Sequence, residues 1–243
     1  MSLLHIHTLS KQFEGESVLS NLEFELAEGE MLSILGRSGS GKTTLMKIIA
    51  GLETADAGEV WLDGNNINSV PPHKRNIVYL YQEALLFPHL NVFDNVAFGL
   101  RLRKEPEATV SQQTAEMLEA IELADQAEKM PQQLSGGQRQ RVAFGRALAI
   151  NPRVLLLDEP FGALDTETRA LMQGFLKKVV KEFRITSLFV THDLKEALLM
   201  GDRIGLMQAG KLNVYASKSD FIDDKQTGVQ SELSFWENLR SKT

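Results

Sequence analysis

Gly36-Arg37-Ser38-Gly39-Ser40-Gly41-Lys42-Thr43 is the stretch from which the architecture of this chain can be read. The apolar run Met31 to Leu35 before it reads as a strand. After it, Leu45, Met46, Ile48 and Ile49 fall at helical spacing, with Gly51 placed to cap the helix end. A glycine-rich loop between a strand and a helix exposes backbone N–H groups at the positive end of the helix, where side chains would block an incoming phosphate. Gly36, Ser38, Gly39, Ser40 and Gly41 therefore form a candidate anion nest. Lys42 is placed to bridge two phosphates, Thr43 offers a hydroxyl to Mg²⁺, and Thr44 joins the nucleotide-contacting set.

Outward from the loop, residues 3–35 and 59–80 carry short extended runs, with turns at Asp63-Gly64 and Pro71-Pro72. Between about Asn91 and Ala149 the spacing is helical almost throughout. Extended character returns at Val154 to Leu157 and Thr186 to Val190, unbroken apolar runs suited to a parallel sheet covered on both faces. A hairpin around Ala209-Gly210 joins Arg203–Met207 to Lys211–Val214, and a polar tail from Ser217 contains Phe221, Ile222, Phe235 and Trp236.

Composition narrows the function. The 243 residues are 43% hydrophobic and 24% charged, so disordered and low-complexity classes are out. Twenty-six basic against 32 acidic residues disfavour a broad nucleic-acid-binding face, and no nucleic acid is expected as a partner. No apolar run reaches the roughly 18 residues of a membrane span, and the start lacks the order of a secretory signal, so a cytoplasmic location is expected. With zero cysteines, thiolate chemistry and Cys-ligated metals are excluded. His5 and His7 share one face of a strand, but two ligands fall short of a metal site and read as a solvated edge.

A phosphate loop of this kind works with a carboxylate site, which Val154-Leu155-Leu156-Leu157-Asp158-Glu159-Pro160 supplies at the end of a buried strand. Asp158 is expected to hold Mg²⁺ through water, and Glu159 to accept a proton from the attacking water.

Leu134-Ser135-Gly136-Gly137-Gln138, followed by Arg139-Gln140-Arg141, resembles the signature motif of ATP-binding cassette ATPases. The resemblance extends from about Leu3 to Ala216. It implies an α/β P-loop NTPase (RecA-like) core with an antiparallel β subdomain and an inserted α-helical subdomain, the latter at about 91–149. Residues 217–243 are then a short tail, with no full regulatory domain. ATP and Mg²⁺ are the implied cofactors. Ser135, Gly136, Gly137 and Gln138 would serve the nucleotide held by a second copy of the same or a similar subunit. Phe13 matches the aromatic that stacks on adenine, and Gln82 the glutamine that touches Mg²⁺ and the attacking water. Asp165, in Gly162-Ala163-Leu164-Asp165, matches the loop that couples the two sites, with glycine where serine is commoner. His192 matches the histidine that contacts the γ-phosphate.

Glu83 to Asn95 further resembles importers of small polar solutes, including the polyamine, ferric-ion and sugar groups. That resemblance implies integral membrane permease subunits docking near Gln82–Asn95, with Leu86, Phe87, Pro88 and Leu90 as lining, and an extracytoplasmic solute-binding protein beyond them. The expected location is the cytoplasmic face of the inner membrane, as a peripheral subunit. An exporter or lipoprotein-release ATPase, and a non-transport cassette ATPase acting on nucleic acid or protein assemblies, stay open as alternatives.

Overall fold

The computed structural model describes residues 2–230. In chain order its strands are β1 (Ser2–Phe13), β2 (Glu16–Ala27), β3 (Met31–Gly36), β4 (Ala57–Leu62), β5 (Asn65–Asn66), β6 (Ile77–Leu80), β7 (Val154–Asp158), β8 (Thr186–Thr191), β9 (Arg203–Gln208) and β10 (Lys211–Val214). Its α-helices are α1 (Lys42–Ala50), α2 (Val92–Leu102), α3 (Glu107–Ala120), α4 (Gly136–Leu148), α5 (Thr166–Glu182), α6 (Leu194–Met200) and α7 (Lys218–Asp223). The mix of parallel and antiparallel strands with helices is the α/β class expected from the sequence. No helix of the described residues is long and apolar enough to cross a membrane.

The chain divides into two compact units. One comprises the residues up to Pro71 together with those from Leu188 onward, and the other spans Pro72–Ser187.

In the first unit, β1 is the hub of an antiparallel sheet ordered β2-β1-β4-β5. Leu4, Ile6 and Leu9 of β1 and Leu22, Phe24 and Leu26 of β2 turn into the core, while His5, His7, Glu23 and Glu25 stay partly or fully in solvent, the alternation that a sheet with one wet face requires. Beside it, β3 pairs in parallel with β9, Ile34 facing Gly205, and β9 pairs antiparallel with β10. All six residues of β3 are buried. The tail returns to this core: Phe221 of α7 is fully buried in a cluster with Leu35, Ile204, Leu206, Tyr215 and Val229, and Tyr215 Oη donates to Asp224 at 2.6 Å. Phe235 and Trp236 lie outside the described residues.

In the second unit, β6 and β7 pair in parallel, Leu80 facing Leu157. The helical expectation over 91–149 is met by α2, α3 and α4 but not between them. Residues 121–135 hold only two 3₁₀ turns, because Glu122 takes a left-handed φ of +56° and Pro131 cannot continue a helix. Three helices lie outside the sequence expectations, α5 in this unit and α6 and α7 in the first. Of these, α5 and α6 are N-capped by an aspartate, Asp165 and Asp193, whose carboxylates accept first-turn N–H groups.

Candidate functional site

The first unit holds the loop from Gly36 to Lys42. Gly36 ends β3 so close to β9 that a Cβ there would lie 2.5 Å from the Met207 carbonyl oxygen, and Gly41 has φ +104° with a would-be Cβ 2.7 Å from the Val18 carbonyl oxygen. Glycine is therefore needed at both positions. Gly41 is also the N-cap of α1, no side chain caps that helix, and no acidic residue stands in its first turn. No side chain thus competes with an incoming anion at this helix end. Lys42 is buried, and its Nζ donates to the carbonyls of Gly36 (2.7 Å) and Arg37 (3.0 Å), which arches the loop over the ammonium. Ser40 Oγ is buried with no hydrogen-bond partner among the described residues. An orphaned buried hydroxyl costs free energy unless something arrives to meet it.

Two further expected residues belong to the same unit. Phe13, at the end of β1, is 42% exposed, so its ring is an open aromatic face and no part of the core. Lys11 Nζ sits 4.9 Å from its centroid. His192 is exposed and directly follows β8, the strand next to β3. The adjoining Thr191 Oγ1 donates to Glu196 (2.7 Å) and accepts from the Asp193 N–H (3.0 Å), which fixes the turn into α6.

The second unit gathers the carboxylates and the glutamine. The β6–β7 register puts Gln82 and Glu159 each two residues past the facing pair Leu80 and Leu157. The Gln82 amide lies alongside Gly162, where a Cβ would stand 2.5 Å from Nε2. Glycine in place of a serine thus leaves room for this position of Gln82. Glu159 has a left-handed φ of +46°, strained for a residue with a Cβ, and its carbonyl accepts the Gly162 N–H at 3.1 Å. Asp158 accepts a 2.6 Å hydrogen bond from Tyr79 Oη of β6. Burial, reinforced by that carboxylate, holds the Tyr79 phenol protonated far above the usual tyrosine range.

Ser135 caps α4 in a complete capping box: its Oγ accepts the Gln138 N–H (3.2 Å), and Gln138 Oε1 accepts the Ser135 N–H (2.9 Å). Ser135 and Gly136 are exposed, and Gly137 and Gln138 half-buried. Behind this surface, Gln140 Nε2 donates to the Pro160 carbonyl at 3.0 Å, tying the helix to the turn that carries Glu159. Asp165 is exposed, and the Thr168 N–H above all holds its carboxyl below the usual aspartate range.

Sequence reasoning missed two residues, Tyr79 and Gln140. Tyr79 carries no sequence signal, since its partner is 79 positions away. Gln140 stands within the quoted signature stretch.

The surface after Gln82 differs from expectation in detail. Leu86, Phe87 and Leu90 are half-buried and only Pro88 is exposed, whereas the neighbouring Leu85 (57%), Tyr81 (45%) and Phe98 (39%) are open. Asn95, fully buried, holds the loop through bonds to the backbone of Phe87, Leu90 and Asn91. Arg146 donates one nitrogen to the Leu85 carbonyl (2.6 Å) and keeps Nη1 buried without a partner among the described residues.

The sequence profile described as ABC transporter matches residues 19–162, more than half of the chain. The Spermidine/putrescine import ATP-binding protein PotA of Vibrio cholerae is 44% identical over 222 residues, 91% of this chain and 59% of its own length. The Sulfate/thiosulfate import ATP-binding protein CysA of Gloeobacter violaceus is 43% identical over 227 residues, 93% and 66%. That of Bacillus cereus is 45% identical over 225 residues, 91% and 63%. The chain spans about three fifths of the length of the curated relatives it matches.

Proposed function

The chain belongs to the ABC transporter family, and from that premise we propose that it is the ATP-hydrolysing subunit of an importer for a small polar solute or ion. The observation that carries the ATP reading is the loop at the start of α1: an uncapped helix N-terminus, a buried lysine and the orphaned Ser40 hydroxyl, all of which a polyphosphate would satisfy.

Each expected residue has a stated role. Phe13 offers its exposed face to the adenine. Gly36, Ser38, Gly39, Ser40, Gly41, Lys42, Thr43 and Thr44 hold the phosphates. The hydroxyl of Thr43, the carboxylate of Asp158 and the amide of Gln82 are the hard oxygen donors that suit Mg²⁺, which when bound neutralises phosphate charge. Glu159 accepts the proton of the water whose oxygen attacks the γ-phosphorus, as the bond to the bridging oxygen of ADP breaks. Lys42 and His192 stabilise the charge on the transferred group. Ser135, Gly136, Gly137 and Gln138 close over the nucleotide of a second copy, and Asp165 couples the two sites.

The ATPase domain is proposed as residues 1–216, with the helical subdomain at about 91–149 and a short tail at 217–243. The permease docks near Gln82–Asn95. The open apolar side chains of Leu85 and Phe98 support a partner helix there. An importer also implies an extracytoplasmic solute-binding protein and a peripheral location on the cytoplasmic face of the inner membrane. The import reading rests on relatives named for spermidine and putrescine and for sulfate and thiosulfate, at nearly equal identity. Polyamine cations and sulfur oxyanions select no one cargo charge, so the proposal stops at a small polar solute or ion.

The test is co-purification from gently solubilised native membranes in the presence of ATP. Recovery of a polytopic membrane subunit with ATPase activity is expected. Recovery of only soluble or nucleic-acid-bound partners would overturn the transport reading.

A further inference from the structure

On the wet face of the antiparallel sheet, two histidines and two glutamates meet across neighbouring strands. His5 and His7 alternate with the buried Leu4 and Ile6 along β1, so both imidazoles stand on the same face, their centroids 4.1 Å apart. Glu23 and Glu25 do the same on β2, alternating with the buried Leu22, Phe24 and Leu26. The pairing sets His5 opposite Glu25, Nε2 to Oε1 3.6 Å, and His7 Nδ1 lies 3.8 Å from Glu23 Oε1. On the other flank, β4 sets Trp61 opposite His5 and Glu59 opposite His7.

The sequence alone showed two ligands, and the fold adds the third. Donor atoms of His5, His7 and Glu23 all lie within 4.8 Å of one another. In a tetrahedral shell with metal–ligand bonds of about 2.0–2.2 Å, neighbouring donors sit roughly 3.4 Å apart. Half-exposed side chains reach that spacing by small rotations of χ angles. The strand backbones hold the four Cβ positions on one face, so little chain ordering remains to oppose binding.

We infer that His5, His7 and Glu23 form a binding site for a divalent transition-metal ion, with Glu25 or water as fourth ligand. Two neutral imidazoles and a carboxylate suit Zn²⁺, Ni²⁺, Co²⁺ or Cu²⁺ and not Mg²⁺, which demands an oxygen shell. The ion clips β1 to β2 and stabilises the sheet in which Phe13 is anchored. The site is independent of ATP turnover and of the importer reading.

The experiment is a titration of the whole purified chain with Zn²⁺, without nucleotide and with Mg²⁺ in excess, read by calorimetry and by thermal melting. One equivalent is expected to bind and to raise the melting temperature by about 2–4 °C. His7→Ala and Glu23→Ala should each weaken binding by about tenfold or more and abolish that rise. Zn²⁺ binding unchanged in both variants would overturn the assignment, and so would the absence of saturable binding to the parent chain. Should a variant melt early without metal, imidazole NMR of the parent chain decides. Zn²⁺ must then shift the resonances of His5 and His7 before those of His73, His89 and His192, and the reverse order contradicts the site.

Discussion

Two glycine-rich helix starts in this chain look alike in sequence and are built for opposite tasks. At α1 the N-cap is Gly41, no side chain closes the helix end, and the buried Ser40 hydroxyl has no partner among the described residues. At α4 the N-cap is Ser135, and a full capping box satisfies both its own N–H and that of Gln138. The first start carries no side-chain cap that would compete with an incoming anion. The second already has two of its N–H groups, those of Ser135 and Gln138, met by side chains, and the Ser135 hydroxyl can still donate its O–H to an anion while it accepts the Gln138 N–H. An element of that kind contributes little to holding nucleotide on the isolated chain and suits a contact made and broken in each cycle. Oriented N–H groups at a helix start are common to both, and the difference lies in whether the sequence has already supplied their partner.

Four substitutions sharpen or break this contrast. The largest effect is expected from Glu159→Gln, which leaves the start of α1 untouched while removing the proposed general base. Turnover in a steady-state phosphate-release assay should fall by about 10²–10⁴-fold with ATP affinity retained. Lys42→Ala strikes the open start itself. Loss of a charge-assisted contact of about 1.5–3 kcal/mol should weaken ATP binding roughly 10–150-fold, measured by equilibrium titration. Ser135→Arg strikes the closed start, and should lower hydrolysis at least tenfold, on the order of one lost charge-assisted contact, with nucleotide affinity of the isolated chain unchanged. A matching loss of affinity in that variant would make the two starts equivalent and break the comparison. The smallest effect is expected from Tyr79→Phe, which removes the phenol held at 2.6 Å from Asp158. A hydrogen bond of about 0.5–1.5 kcal/mol corresponds to a two- to tenfold rise in the Mg²⁺ needed for half-maximal turnover.

Much of this arrangement is written locally in the sequence. The strand, loop and helix from Met31 to Ala50 follow from a β-run, glycines and a 3.6-residue repeat, and the β9–β10 hairpin from Ala209-Gly210, both with positive φ. Phe221 illustrates the limit. Its apolarity was plain in the tail, but its burial against Leu35, Ile204 and Leu206 depends on a core assembled from distant segments. The α5 helix had a readable signal, since Met172, Phe175, Leu176, Val179 and Val180 repeat at helical spacing behind the N-cap Asp165. The break at residues 121–135 turns on the left-handed Glu122, a conformation that residue type does not announce. Among the residues of the two proposed sites, the Gln82 and Glu159 motifs are visible singly, whereas Tyr79 on Asp158, Gln140 on Pro160 and Glu23 beside His7 are products of strand register and helix packing. Local chemistry is legible from residue type and spacing, and partners brought in by pairing are not.

The central claim is that the phosphate loop binds ATP within one chain while the capped start at Ser135 acts on the nucleotide of a second copy. It is tested most directly by measuring the solution mass of Glu159→Gln with MgATP, alone and combined with Ser135→Arg. The account predicts an ATP-dependent pair for the single variant, and a monomer with ATP still bound for the double variant. A double variant that pairs as readily as the single one, or that loses ATP altogether, would contradict it.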